Sequence, residues 1–407
     1  MSEHTGTHSF LLVPASHDVG LRSVALGLVR ALQREGIDAG FVKPISPYAV
    51  KGQRSDLSCH FAKTLCHLDV PEPISFAHAE EMVRAGQLAA LMEEVVTVVD
   101  AAAQAHDVVV IQGMAMDGDS QLVPQLNAEM TACLSAAVVL VVDASSRPAA
   151  QLAEDISLAQ RTYGSGPGKT LAGVVLNKLA AGEAGRNLIQ ALRQLLPTPP
   201  VLAAVPFEPR LNAPRLVDVV DGLGLTVERV GDMDTARVQE IAVAGSAVEN
   251  AVAWLRPGTL LVTSGDRSDI VLATALAYLR GIPLAGLLLT CGRQPAESIA
   301  ALIASHQLNG LPILRSDADT YGTSILLAGL NRHVTINDPQ RMEQAIQTVA
   351  EHADMAALGR IVGQPNELRL TPPAFRHQLV QRAKKANKRI VLPEGDEPRT
   401  LQAAVIC

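Results

Sequence analysis

Phe10-Leu-Leu-Val-Pro14-Ala-Ser-His-Asp-Val-Gly20-Leu-Arg-Ser23 reads as an aliphatic strand running into a polar loop, and Val24 to Arg34 then sets apolar residues at helical spacing. A strand, a glycine-bearing loop and a helix, in that order, is where a phosphate loop of the form Gly-x4-Gly-Lys-Ser/Thr belongs. In that motif backbone N–H groups wrap the phosphate oxygens, the lysine offsets their charge and the hydroxyl holds magnesium. Here Val19 and Gly20 are kept, but Leu21 stands in the lysine position, Arg22 in the hydroxyl position, and Ser23 comes one place late. Pro14, at the entry to the loop, has no N–H to donate. A charge pair at ~4 Å in an effective dielectric of ~20 is worth about 4 kcal/mol. Losing half of that weakens nucleotide binding on the order of thirtyfold. The loop therefore reads as a retained fold with lost hydrolysis. An anion held at the helix N-terminus by Val19, Gly20, Arg22 and Ser23 stays open as the functional alternative.

Outward from the loop, the first segment alternates strands and helices. Strands are expected at Gly40–Pro44, Asp107–Ile111, Ala137–Val142 and Leu171–Leu176, and helices over Glu80–Gln104 and Gln151–Arg161. This grammar gives right-handed βαβ units and a mainly parallel sheet, an α/β class. A second, smaller segment repeats it. Strands are expected at Thr259–Thr263, Leu284–Thr290 and Leu311–Leu314. Helices are expected at Ser268–Leu279, Ala296–Ser305, Thr320–Leu330 and Asp338–His352. Gly359, Gly363, Pro365, Pro372 and Pro373 then interrupt any periodicity and read as a linker. The expected organisation is residues 1–215, 216–353, a linker 354–373, and 374–407. In the last piece Arg389-Ile-Val-Leu-Pro393 reads as a buried strand and Pro398 to Cys407 as the first turns of a helix, the opening of a domain that is missing.

At 407 residues and 48% hydrophobic, the chain has enough apolar surface for two or three cores. Only 3% is aromatic, so aliphatic side chains must fill them, as in parallel α/β layers. A net charge of −7 argues against a nucleic-acid partner. No apolar run approaches the ~18 residues of a membrane span, and no basic region precedes Phe10 as in a secretory signal. Five cysteines, odd and sparse, suggest reduced thiols in the cytoplasm.

Strand 107–111 ends in Gln112, which has no charge to offer magnesium. Asn177-Lys178 looks like the start of a base-recognition motif, but Ala180 takes the place of its aspartate; Asn177 then satisfies backbone groups at a strand end. Gly168-Lys169-Thr170 precedes a strand rather than opening a helix, and so lacks an amide cluster for phosphate. Cys59-His60 and Cys66-His67 are spaced too widely for a structural zinc site; no metal is expected. Gly265-Asp266-Arg267-Ser268-Asp269 opens a helix after a buried strand, with Ser268 near the N-cap. It is either a polar turn or, with Thr290, a ligand site at the carboxyl ends of parallel strands.

Three resemblances follow in chain order. The first segment, through Asp143-Ala-Ser-Ser146 and Val174-Val-Leu-Asn177-Lys178, resembles the P-loop enzymes of the dethiobiotin synthetase and cobyrinic acid amidase group. The second, through Gly265-Asp-Arg and Thr290-Cys291-Gly292, resembles the DRTGG domain, with Cys291 where that pattern has a glycine. Leu392-Pro-Glu-Gly-Asp-Glu-Pro-Arg399, after the basic run Lys384 to Arg389, resembles the start of the catalytic domain of the long bacterial phosphate acetyltransferases. That family interconverts acetyl-CoA plus phosphate with acetyl phosphate plus CoA. The resemblance implies a regulatory and oligomer-forming half that does not catalyse transfer by itself. Its implied partners are small-molecule metabolites and copies of itself; CoA and acetyl-CoA are substrates of the full-length family, and no covalent cofactor is implied. Glu394, Asp396 and Arg399 match the family's opening motif without a catalytic role, and no catalytic residue maps onto this chain. Asp266, Arg267, Ser268 and Thr290 would form the regulatory ligand site. The alternatives are a stand-alone metabolite sensor and an ATP-dependent ligase.

Overall fold

The central strand of the first sheet, β1 (His8–Pro14), is buried from Phe10 to Pro14, as expected of an aliphatic run covered on both faces. The computed structural model describes residues 7–46, 56–115, 121–145, 147–164, 171–330, 332–363, 371–386 and 397–406. These fall into two compact units, residues 1–207 with 342–407, and residues 208–341.

In the first unit β1 is joined by β2 (Ala39–Val42), β3 (Val108–Gln112), β4 (Ala137–Asp143), β5 (Leu171–Leu179) and β6 (Val201–Pro206). The order is β2-β3-β1-β4-β5-β6, and every pairing is parallel. One face packs Leu11, Ile111, Leu140 and Leu176 against helices Leu88–Ala103, Leu122–Cys133 and Ala149–Tyr163. Helix α1 (Leu21–Arg34) buries nine of its residues, from Leu21 to Leu32. Residues 342–353 group with this unit rather than with the segment that precedes them. A Cβ on Gly27 of α1 would stand 2.4 Å from Cβ of Val349, so the glycine permits the close approach. Arg30 pairs with Glu343 at 2.7 Å beside that contact.

In the second unit the strands are β7 (Thr226–Arg229), β8 (Glu240–Val243), β9 (Thr259–Ser264), β10 (Gly286–Thr290) and β11 (Ile313–Arg315). The order is β8-β9-β10-β11-β7, parallel except for the β11–β7 edge. Helix Ser268–Leu279 and Ile303 cover one face; helix Leu216–Leu223 and Leu327 cover the other.

Two expectations need correction. The helical stretch at 80–104 is two helices, Phe76–Arg84 and Leu88–Ala103. They are parted at Gly86, whose φ of 72° leaves the helical region. Residues 355–362, expected in a linker, form helix Met355–Val362, because the Asp354 carboxylate caps it by accepting from the Ala357 N–H at 2.9 Å. Ser268 lies near the N-cap as expected: it is the first helical residue, and Arg267 holds the cap position without a side-chain cap bond. The strand expected at 389–393 and the Gly-Lys-Thr loop at 168–170 lie outside the described residues.

Candidate functional site

The loop after β1 lies at the carboxyl end of the parallel sheet, where open α/β folds bind ligands. Gly20, the N-cap of α1, has φ 75°, a left-handed conformation that suits glycine. A Cβ there would come within 2.4 Å of Asn177 Nδ2. Asn177, on β5, donates through Nδ2 to the Val19 carbonyl at 2.8 Å. The Lys178 ammonium donates to the Asp18 carbonyl at 2.5 Å and to Oδ2 of Asp143 at 2.7 Å. Asp143 also accepts from the Ser145 N–H and hydroxyl at 2.8 and 2.5 Å. Burial opposes ionisation of Asp143, but the Lys178 ammonium and the Ser145 donors hold its carboxyl below the usual carboxylate range. The loop is thus fastened to β4 and β5 by the chain's own amide and ammonium groups.

Val19 and Gly20 are in this cluster; the other two expected residues point elsewhere. Arg22 donates through Nε to Ser58 Oγ at 3.1 Å. The Ser23 hydroxyl faces Met342 Sδ at 3.9 Å. Leu21 is buried at 3% exposure, so the position of the motif's lysine is part of the core. Gln112 is 2% exposed, and its Oε1 has no hydrogen-bond partner among the described residues. Sequence reasoning missed Lys178 and Asp143 as loop contacts. The signal was a basic residue after a strand end and an acidic one after its neighbour, which parallel β4–β5 pairing sets side by side through the Asp143–Asn177 register.

A buried ion pair lies close by. Lys43 Nζ stands 2.7 Å from Asp56 Oδ2, with side-chain exposures of 3% and 7%. Asp56 also caps helix Leu57–Leu65 through the Ser58 and Cys59 N–H groups. Burial drives the Lys43 ammonium below its usual range, while burial of Asp56 is outweighed by the Lys43 ammonium, which keeps its carboxyl low. Cys59 and Cys66 are free and buried; burial pushes the Cys59 thiol up to about 12.

In the second unit Asp266 and Thr290 stand at the ends of adjacent strands but bond separately. Asp266 accepts from the Ser264 hydroxyl at 2.7 Å and pairs with Arg293 at 3.1 Å. Arg267 turns to Asp269 at 2.8–2.9 Å and to the Ser246 carbonyl. Thr290 bonds the Thr320 hydroxyl at 2.7 Å. Ser264, Arg293 and Thr320 are additions that the sequence reading did not make. A Cβ on Gly265 would lie 1.9 Å from the Arg293 carbonyl, so the glycine is required. Cys291 takes φ 66° and Gly292 φ 59°; the left-handed backbone persists although the first of the two carries a side chain.

This is a mostly parallel α/β domain with a P-loop-like strand–loop–helix, followed by a smaller α/β domain. The chain belongs to the AAA domain family, whose model matches residues 8–215, and the DRTGG domain model matches residues 218–330. It is homologous to phosphate acetyltransferases: it is 38% identical to that of Pseudomonas aeruginosa and 39% identical to that of Pseudomonas putida, in each case over 98% of this chain and 58% of the relative. The chain therefore spans less than two thirds of those relatives. Among solved structures it is similar to cobyrinic acid a,c-diamide synthase from Mycobacterium smegmatis, with 14% identity, a TM-score of 0.35, and coverage of 50% of this chain and 87% of that one. Among the described residues no helix is long and apolar enough to cross a membrane.

Proposed function

We propose that this chain is the regulatory and assembly part of a phosphate acetyltransferase, a protein that interconverts acetyl-CoA and phosphate with acetyl phosphate and CoA in acetate metabolism. CoA and acetyl-CoA are substrates of the whole protein, which works in the cytoplasm as a homo-oligomer. The kinship to phosphate acetyltransferases over 98% of the chain supports the reaction class. The observation that carries the division of labour is the loop held by Lys178 and Asn177. Where a hydrolysing P-loop sets a lysine against phosphate, this chain buries Leu21 and sets Lys178 against its own backbone. Val19 and Gly20 act as scaffold. Asp266, Arg267, Ser268 and Thr290 line the regulatory ligand site of the second unit, where a small metabolite biases the transferase. A chimera tests this: residues 1–363 replace the matching part of the Pseudomonas putida relative. Phosphate-dependent acetyl transfer by the chimera is the expected result. A chimera that folds and assembles like the relative but transfers no acetyl group counts against the reading.

A further inference from the structure

A concave site lies in the first unit, away from the loop. The loop contacts Asn177 and Lys178, toward the carboxyl end of β5. This cleft opens beside Val174, earlier on β5, and Val201, the first residue of β6. It is about 260 Å³ in volume, near the small end of ligand-binding clefts. Its walls come from helices Ala149–Tyr163, Glu183–Leu195 and Met355–Val362. Ile156, Val174, Leu192 and Ala357 are all buried and give it an apolar floor.

The mouth is charged. Arg193 and Arg360 line it from two different helices. Both are exposed, and neither has an ion-pair or hydrogen-bond partner among the described residues. The one lining carboxylate, Asp354, is engaged as the cap of helix Met355–Val362. Two unengaged guanidiniums against one engaged carboxylate leave the rim net positive. An apolar floor under a positive rim selects a ligand with an apolar body and an anionic end.

We propose that this cleft binds a small organic carboxylate, its apolar body on Ile156 and Leu192 and its carboxylate between Arg193 and Arg360. The two arginines stand far apart in sequence, so such a ligand ties helix Met355–Val362 to helix Glu183–Leu195.

The test uses the full 407-residue chain, with hexanoate as the probe and hexanamide and inorganic phosphate as controls. Binding is followed by the methyl NMR signals of Ile156 and Leu192. Hexanoate is expected to shift both signals saturably, and neither control should match it. Arg193→Gln and Arg360→Gln should each weaken hexanoate about fivefold to tenfold, and together abolish it, with the melting temperature unchanged. Arg193→Lys should restore part of the loss. Absence of any hexanoate shift overturns the proposal, as does equal binding to the double variant. Equal binding of hexanamide would make the cleft apolar only, and equal binding of phosphate would make it a bare anion site; either result also overturns it.

Discussion

The ammonium of Lys178 stands 2.7 Å from Oδ2 of Asp143 and reaches from there to the Asp18 carbonyl. One side chain therefore joins two strands of the parallel sheet to the loop that, in a hydrolysing P-loop protein, would face a nucleotide. The pair is partly exposed, at 28% and 15%, so solvent screens it. Lys178→Met is expected to cost about 1–2 kcal/mol and to speed amide exchange at residues 16–20. Unchanged exchange would show that the contact does not order the loop.

That pair also sets an acid dependence. The Asp143 carboxyl lies below its ordinary value of 3.8 in the folded chain. A depressed folded value means stability that is present above the unfolded value and lost as pH falls through the folded one. In chemical denaturation the wild type should lose this contribution below about pH 4, and Asp143→Asn should lose less on acidification. Identical acid limbs would contradict the assignment.

Gly20→Ala meets two costs: a left-handed backbone of φ 75°, and a Cβ 2.4 Å from Asn177 Nδ2. The backbone alone costs about 1–2 kcal/mol. Asn177→Ala removes the overlap but not the backbone cost. The double variant should therefore lose less stability than the sum of the singles, a coupling that a double-mutant cycle measures.

Magnesium-ATP should not bind tightly to the wild type, and its hydrolysis should stay at background. Leu21→Lys is expected to lower the melting temperature without creating hydrolysis, because position 21 is 3% exposed and faces the core. Tight magnesium-ATP binding that is lost in Gly20→Pro would revive the ligase alternative.

Cys291→Gly should stabilise the second unit by up to about 1 kcal/mol, since the residue sits at φ 66°. The gain is bounded because glycine also frees the unfolded chain. A loss of stability would mean that the thiol contact to the Thr290 hydroxyl at 3.8 Å matters more than the backbone.

Much of the scaffold was legible because parallel strands are unbroken aliphatic runs. Helix Ser268–Leu279 matches its expected bounds. Strand β6 was missed: Pro197, Pro199 and Pro200 crowd its start and mask a short run. Strands β7 and β8 were missed because they are largely exposed, with polar Thr226, Glu228 and Glu240 interrupting the apolar pattern. Helix Met355–Val362 forms despite Gly359 in its interior, whose cost of about 1 kcal/mol is small beside a good cap and a buried face. The departures from the phosphate-loop motif were plain in the sequence. What takes the place of the missing lysine was not, because Lys178 reaches Asp18 across 160 positions, a contact that only the folded sheet creates.

The most direct measurement is phosphate-dependent formation of acetyl phosphate from acetyl-CoA by the folded 407-residue chain alone. No turnover above background is the expected result. Robust turnover would contradict it, placing an acyl-transfer site among residues assigned here to scaffold and regulation.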